Sequence, residues 1–304
     1  MKSRIKILII GGTGFLGFHT CLASLKRKWD VTSISSKKPK KSRFLKNVDY
    51  LICDIRKKNL IDRTIKNLNY DYVINFGGYV DHKNKKKTFE SHYKGCKNLA
   101  DHFLKKKIKS FIQIGSCIEY GKLKSPQIEK KNVLPKKISS VYGKSKLMAS
   151  NYLLKLFTKY NFPVTILRLY LVYGPYQDLN RFLPITINGC LNNAKFDTSS
   201  GIQKRDFLYV SDFISLVFKV LESRNSKGEI FNVGSGKPKK IKNVIKIIRQ
   251  KIKKGNPNYG KLKLRKDEIL NLYPSIKKAK KILKWSPKIK FQNGLSKTIR
   301  YYKD

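Results

Sequence analysis

The sequence predicts a doubly wound α/β fold, a parallel sheet with helices on both faces. Three observations carry that prediction. Short β-branched runs recur through the first half of the chain, helical patterns lie between most of them, and a glycine-rich turn joins the first run to the first helix.

The first run is Ile5-Lys6-Ile7-Leu8-Ile9-Ile10, apolar enough for a strand buried on both faces of a parallel sheet. Gly11-Gly12-Thr13-Gly14-Phe15-Leu16-Gly17 follows at once and opens a helix reaching about Lys28. In such a strand–turn–helix, Gly11 permits the tight turn and Gly14 lets backbone N–H groups approach a pyrophosphate. Gly17 lets the helix pack closely on the strand. The positive end of the helix then faces the phosphates. Placed after the first strand, the turn reads as a dinucleotide-binding loop, which makes the fold Rossmann-type.

Residues 31–34, 50–53, 72–75, 111–115 and 164–169 read as further strands, with helices around 59–67, 88–107 and 141–160. After about Val172 the pattern becomes irregular. Helices near 182–194, 211–222, 241–254, 275–284 and 292–302 mix with short strands. The expected organisation is a dinucleotide-binding domain over 1–172, with 205–236 returning to it. A smaller, mixed α/β substrate-binding region is expected from 173–204 and 237–304. The 304 residues are enough for one large domain or two smaller ones.

Composition narrows the function. Lys+Arg total 68 against Asp+Glu 19, a formal charge of +49. Only 12 of the basic residues are Arg, and the Lys residues are spread over the whole chain. A nucleic-acid binder would concentrate Arg and stacking aromatics on one surface. A solvated Lys-rich surface is therefore expected, with no specific nucleic-acid partner. It should still attract anions such as nucleotide diphosphates, salt-dependently. Hydrophobic residues at 40% and aromatics at 12% exclude a disordered basic tail.

Cys21, Cys53, Cys96, Cys117 and Cys190 are widely and irregularly spaced, and His19, His82, His92 and His102 form no ligand motif with them. Neither a disulfide framework nor a metal site is expected, which suits the cytoplasm. Residues 7–25 carry no formal charge and imitate a signal peptide or anchor, but four glycines and His19 interrupt them. The turn and helix account for them better, and no membrane insertion is expected.

Tyr142-Gly143-Lys144-Ser145-Lys146 puts Tyr142 and Lys146 four residues apart at a helix start, on one side of it. A phenol is a poor acid–base at neutral pH. A nearby ammonium and an oxidised nicotinamide favour its phenolate. Ser116 ends the fifth strand, at the sheet edge where ligands bind, and can hold the substrate oxygen that Tyr142 protonates or deprotonates.

With these motifs in place, the chain resembles an extended short-chain dehydrogenase/reductase of the NAD-dependent epimerase/dehydratase family. Further matching strings are Leu167-Arg168-Leu169-Tyr170-Leu171-Val172-Tyr173-Gly174-Pro175, Lys204-Arg205-Asp206-Phe207, Phe231-Asn232-Val233-Gly234 and Leu283-Lys284-Trp285-Ser286-Pro287. The resemblance implies action on nucleotide-activated sugars. It implies that Gly11, Thr13, Gly14, Phe15, Leu16 and Gly17 hold the cofactor with Tyr142 and Lys146. Asp54 and Ile55 would meet the adenine, Asn75, Phe76 and Gly77 the ribose and phosphates, and Tyr170 and Val172 the nicotinamide end. Ser116, Cys117, Asn180, Arg181 and Arg205 would meet the substrate. Arg205 would take its diphosphate, and Arg265 and Glu268 its nucleoside. Without the resemblance, Asp54 reads as a turn residue and Arg205 as a surface ion pair with Asp206.

Departures from the family pattern refine the reaction. NAD-specific relatives usually carry an acidic residue after the second strand. Here Ser35, Ser36 and Lys37 stand there and could hold a 2′-phosphate, so NADP(H) is favoured over NAD(H). Relatives that are 4,6-dehydratases carry an Asp-Glu pair after the catalytic hydroxyl residue, where this chain has Cys117 and Ile118. His92 replaces the usual Asn of the preceding helix. The run 173–184 is similar to that of CDP-abequose-synthase-like reductases. The favoured reaction is NADPH-dependent reduction of an NDP-4-keto-6-deoxyhexose at C4, with Ser116, Tyr142 and Lys146 catalytic. Alternatives are 4-epimerisation with tightly bound NAD, a carbonyl reductase acting on a non-sugar substrate, and a catalytically silent Rossmann binding protein. The apolar face of helix 141–160 is too broad for one contact with the sheet, and a homodimer through it and helix 88–107 is expected.

Overall fold

The computed structural model describes residues 4–79, 81, 83–264 and 268–303. Seven parallel strands form the central sheet. They are β1 (Lys6–Ile10), β2 (Asp30–Ser35), β3 (Val48–Ile52), β4 (Tyr72–Asn75), β5 (Ser110–Ser116), β6 (Val164–Leu169) and β11 (Glu229–Val233). Their order is β3-β2-β1-β4-β5-β6-β11. The order reverses between β1 and β4, which opens a crevice at the carboxyl ends of the strands.

The alternation within β1 explains its uninterrupted apolar sequence. Ile7 and Ile9 enter one core cluster with Phe213, Leu216 and Val217. Leu8 and Ile10 enter another with Leu99, Phe103 and Leu153. Successive side chains point to opposite faces, and both faces are covered. One layer is built by α1 (Phe15–Lys26) and α7 (Val210–Glu222), the other by α2 (Lys58–Ile65), α4 (Gly95–Leu104) and α5 (Val141–Tyr160).

The helix expected over 88–107 is three segments: α3 (Lys85–Phe89), a π-helical turn (Glu90–Lys94) and α4. The remaining pieces are β7 (Leu171–Tyr173), α6 (Phe182–Leu191), β8 (Lys195–Asp197), β9 (Lys204–Arg205) and β10 (Phe207–Tyr209). They continue with β12 (Lys239–Lys240), α8 (Ile241–Ile252), β13 (Asn256–Asn258), β14 (Asn271–Leu272), α9 (Lys277–Leu283) and α10 (Phe291–Lys303). Their strands pair as three small sheets, β10-β7, β12-β9-β14 and β13-β8. All five cysteines are free and buried. No helix among the described residues is long and apolar enough to cross a membrane.

Candidate active site

The turn after β1 is packed to the limit. Gly11 has φ +79°, and a Cβ at Gly17 would stand 2.2 Å from the Gly11 carbonyl oxygen. A Cβ at Gly12 would meet the Ser33 hydroxyl at 2.3 Å. The amide of Gly14 donates to Gly11 O at 3.0 Å, which closes the loop under the N-terminus of α1. Such a turn leaves room for a pyrophosphate above the backbone. Thr13 donates its hydroxyl to Ser35 at 3.0 Å, tying the turn to the end of β2. Ser36 and Lys37 are exposed there.

On the other wall, Asn75 is buried and fully engaged. Its Nδ2 donates to Gln113 at 2.8 Å, and its Oδ1 accepts from the Gly77 amide at 2.9 Å. Phe76 packs edge-on against Phe213. Ile55 is buried beside Gly77 and Gly95. Asp54 is held in its own turn, accepting from the Arg56 amide at 3.0 Å and pairing with the Arg56 guanidinium at 2.6 Å. That bond to Arg56 holds its carboxyl below the usual carboxylate range.

Ser116, Tyr142 and Lys146 converge where β5 meets α5. Ser140 caps α5, its hydroxyl accepting from the Gly143 amide at 3.1 Å, so the helix begins just before Tyr142. The Ser116 hydroxyl is a hydrogen-bond partner of the Tyr142 phenol. One turn further on, the Lys146 ammonium donates to Ile114 O at 2.7 Å. Burial pushes the Tyr142 phenol up to about 12, with Ser116 and Arg181 acting in the opposite direction. Burial lowers Lys146, against the charge of Glu119. A phenol shifted that far is neutral near pH 7, a proton donor rather than a base. The His92 ring lies edge-on to Tyr142, centroids 5.0 Å apart, with Nε2 3.2 Å from Tyr79 O.

The substrate candidates gather on the opposite side. Arg205 pairs with Glu268, and both line a cavity of about 440 Å³ with Leu171, Phe196, Thr198 and Gln203. Asp206 is not the partner of Arg205. Consecutive residues of an extended chain face opposite ways, and Asp206 turns inward to accept from Ser235 N at 2.6 Å and Lys237 N at 3.1 Å. Asn180 and Arg181 are exposed at the start of α6. Tyr170 is buried, its hydroxyl donating to Gln127 at 2.7 Å, and packs with Cys117. Val172 is buried in β7, in the separate core cluster that holds Tyr173 and Phe207. Burial pushes the Cys117 thiol up to about 12. Arg265 lies outside the described residues.

Two charged residues at the site were not singled out by the sequence reading. Arg43 is buried, donating to Thr13 O at 3.4 Å and to Asp178 at 2.8 Å, and so links the glycine turn to the loop before α6. Glu119 is fully buried against Arg168, with Nε to Oε2 2.8 Å. Their ion-pair partners lie 135 and 49 residues away, so sequence spacing does not show those pairings.

A sequence model of the NAD dependent epimerase/dehydratase family matches residues 7–234, three quarters of the chain. The chain belongs to that family. Among similar proteins is the dTDP-D-glucose 4,6-dehydratase of Homo sapiens, 27% identical over 322 residues, covering 98% of this chain and 90% of the relative. The CDP-abequose synthase of Salmonella muenchen is 31% identical over 135 residues, 44% of this chain and 46% of the relative. The crystal structure of Pal from Bacillus thuringiensis matches with a TM-score of 0.88 at 26% identity, covering 98% and 99% of the two chains. UDP-glucuronic acid 4-epimerase from Bacillus cereus, solved with UDP-glucuronic acid and NAD, matches with a TM-score of 0.86 at 24% identity, covering 98% and 99%.

Family membership makes this chain an enzyme of the epimerase/dehydratase type. A nicotinamide dinucleotide suits the crevice, because a glycine turn packed this closely after β1 leads straight into the N-terminus of α1.

Proposed function

We propose that this enzyme reduces the 4-keto group of an NDP-4-keto-6-deoxyhexose, with NADPH as cofactor. One observation carries the reading. Among the described residues, the carboxylate that follows Ser116 is Glu119, and it is turned away from the crevice into the ion pair with Arg168. Glu268 is likewise engaged, by Arg205. Elimination of water in the manner of a 4,6-dehydratase needs an acid and a base beside the sugar. Here Cys117 and Ile118 occupy those places, and a thiol at about 12 is no base at neutral pH. What remains is a neutral phenol with a hydroxyl partner, which suits protonation of a carbonyl oxygen.

When bound, the dihydronicotinamide supplies the hydride. The Ser116 hydroxyl holds the substrate C4 oxygen. Tyr142 gives that oxygen its phenolic proton, and Lys146 steadies the phenolate left behind. Arg205 and Arg181 receive the diphosphate, while the cavity beside Phe196 and Glu268 takes the nucleoside. Ser35, Ser36 and Lys37 receive the 2′-phosphate at the end of β2, where no carboxylate repels it. The enzyme works as a homodimer through α4 and α5. Tyr152 and Leu154 remain half-buried on α5, and Tyr160 is exposed. Light scattering at micromolar concentration should give twice 35.3 kDa.

The test is cofactor content and preference. Protein as purified is denatured and any released nucleotide identified by mass spectrometry. Emptied protein is then titrated with NADPH and NADH. An empty site preferring NADPH supports the reductase, which must exchange cofactor at every turnover. Stoichiometric bound NAD refutes it in favour of a 4-epimerase, which keeps its cofactor through both half-reactions.

A further inference from the structure

Glu119 has more to do than fill a turn. It is the third residue of the short helical turn Cys117–Tyr120 that follows β5, and a reciprocal cap forms there. The Ser116 hydroxyl accepts from the Ile118 amide at 3.4 Å, and Glu119 Oε1 accepts from the Ser116 amide at 2.7 Å. The other oxygen, Oε2, accepts from the Ser150 hydroxyl of α5 at 2.7 Å and from Arg168 Nε of β6 at 2.8 Å. One carboxylate therefore joins the end of β5, the third turn of α5 and the end of β6.

The spacing on α5 gives this a direction. Tyr142, Lys146 and Ser150 are four apart, so they share one face of the helix. Each is fastened to the same strand end: Tyr142 to Ser116, Lys146 to Ile114 O, and Ser150 to Glu119. Gly115 makes the approach possible, since a Cβ there would stand 2.5 Å from Glu119 Oε1. Arg168 is fully buried with Glu119. It is held on its far side by Lys130 O at 2.8 Å and by the Tyr120 ring, 4.3 Å from the guanidinium carbon. The arrangement cannot swing without stranding a buried charge.

We propose that Glu119 is a positioning residue of the active site: its carboxylate holds Ser116 in register with Tyr142 and sets the electrostatic field around Tyr142 and Lys146. The inference rests on the reading of Ser116, Tyr142 and Lys146 as the reacting constellation. The charged and titratable groups that face Lys146 are Glu119 and Cys96. Those that face Tyr142 are His92, Cys117, Glu119 and Arg181, beside the Ser116 hydroxyl. Of these, Glu119 favours the ammonium of Lys146 and disfavours the phenolate of Tyr142. Removing its charge lowers both ionisations. Removing its bonds frees Ser116 to drift from the phenol.

The test compares Glu119→Gln, Tyr142→Phe and the double variant Glu119→Leu/Arg168→Met with the parent protein. The double variant removes both charges together, a change that buried pairs often tolerate without loss of stability, so it guards against a single variant that does not fold. Two readouts are taken. One is the carbon-13 shift of the Tyr142 ring Cζ against pH, with the cofactor bound, assigned by its loss in Tyr142→Phe. The other is kcat and KM against pH on whichever of CDP-4-keto-6-deoxyglucose, dTDP-4-keto-6-deoxyglucose and UDP-glucose the parent turns over.

In a folded Glu119-substituted variant, the Tyr142 ionisation should move to lower pH by about half a unit or more. The kcat should fall about tenfold or more, with cofactor affinity within about twofold of the parent. An unmoved Tyr142 titration together with a kcat–pH profile superimposable on the parent's would overturn the inference, because a merely structural residue would change stability alone. Full turnover by Tyr142→Phe would instead overturn the reading of the site itself, and the two failures are told apart by which variant shows them.

Discussion

A methyl group at Gly17 would stand 2.2 Å from Gly11 O, 2.6 Å from Gly12 Cα and 2.8 Å from Gly11 C. Every one of these atoms is backbone, so no flexible side chain can yield. Ordinary contact begins near 3.4 Å, so α1 and the turn must separate by about 1 Å in Gly17→Ala, overpacking of the kind that costs about 1–3 kcal/mol. For a chain of this size that is a fall in Tm of roughly 2–10 °C. The more telling effect is local. Gly11 O also accepts from the Gly14 amide at 3.0 Å, so the displaced atom is the one that sets the phosphate-facing loop. NADPH affinity should fall about tenfold or more, the equivalent of one misplaced charge-assisted contact. Gly260→Ala is the control. Its φ is +82° and nothing lies within 4 Å of the added Cβ, so it carries only the left-handed backbone penalty of about 1–2 kcal/mol. Fluorescence titration of NADPH and melting curves on both variants make the comparison. Gly17→Ala binding NADPH within twofold of the parent would refute the argument that this glycine turn is the cofactor's cradle.

Two further outcomes follow from the same geometry. Arg205→Ala removes a cation from the cavity and leaves Glu268 unpaired beside it. The KM for the sugar nucleotide should rise about 10- to 100-fold with kcat changed less than about fivefold, because the contact is far from the reacting carbon. Asp54 is held below the usual carboxylate range by Arg56, and a depressed carboxyl adds stability above its unfolded value and loses it as pH falls through the folded one. The Asp54→Asn deficit should therefore be full at pH 7, about 1 kcal/mol or less for a pair this near the surface, and fade in melting curves as pH falls from the ordinary carboxylate range through the depressed folded one. A deficit that grows on acidification would show that Asp54 is not ionised in the native turn.

The sheet was legible in the sequence for a physical reason. A strand buried on both faces must be apolar throughout, and the 5–10 and 164–169 runs are read directly from that demand. The glycine turn was legible because a backbone packed against backbone excludes Cβ atoms, as Gly17 does. The C-terminal region was not legible in detail. Its strands β9, β12 and β14 are two residues long, and Lys204 finds its partners at Lys240 and Asn271. No periodicity survives in two residues, so only the presence of short strands could be expected. The π-helical turn at Glu90–Lys94 was hidden in a helix that reads as continuous.

The site shows the same division more sharply. Tyr142 and Lys146 are set by a local rule, one helical turn, and the sequence displays it. Which way a carboxylate points is set by distant partners. Glu119 stands three residues after Ser116, and that spacing does not tell which distant groups claim its second oxygen. In the fold it is claimed from behind by Arg168 and Ser150. The reaction proposed for this crevice leans on that direction. A carboxylate facing the sugar would make elimination possible, whereas one facing the core leaves the neutral phenol to work alone. What keeps this carboxylate out of the crevice is a buried arginine on the neighbouring strand, 49 residues away, and the proposed reductase reading leans on that distant contact together with Cys117 and Ile118 at the two neighbouring places.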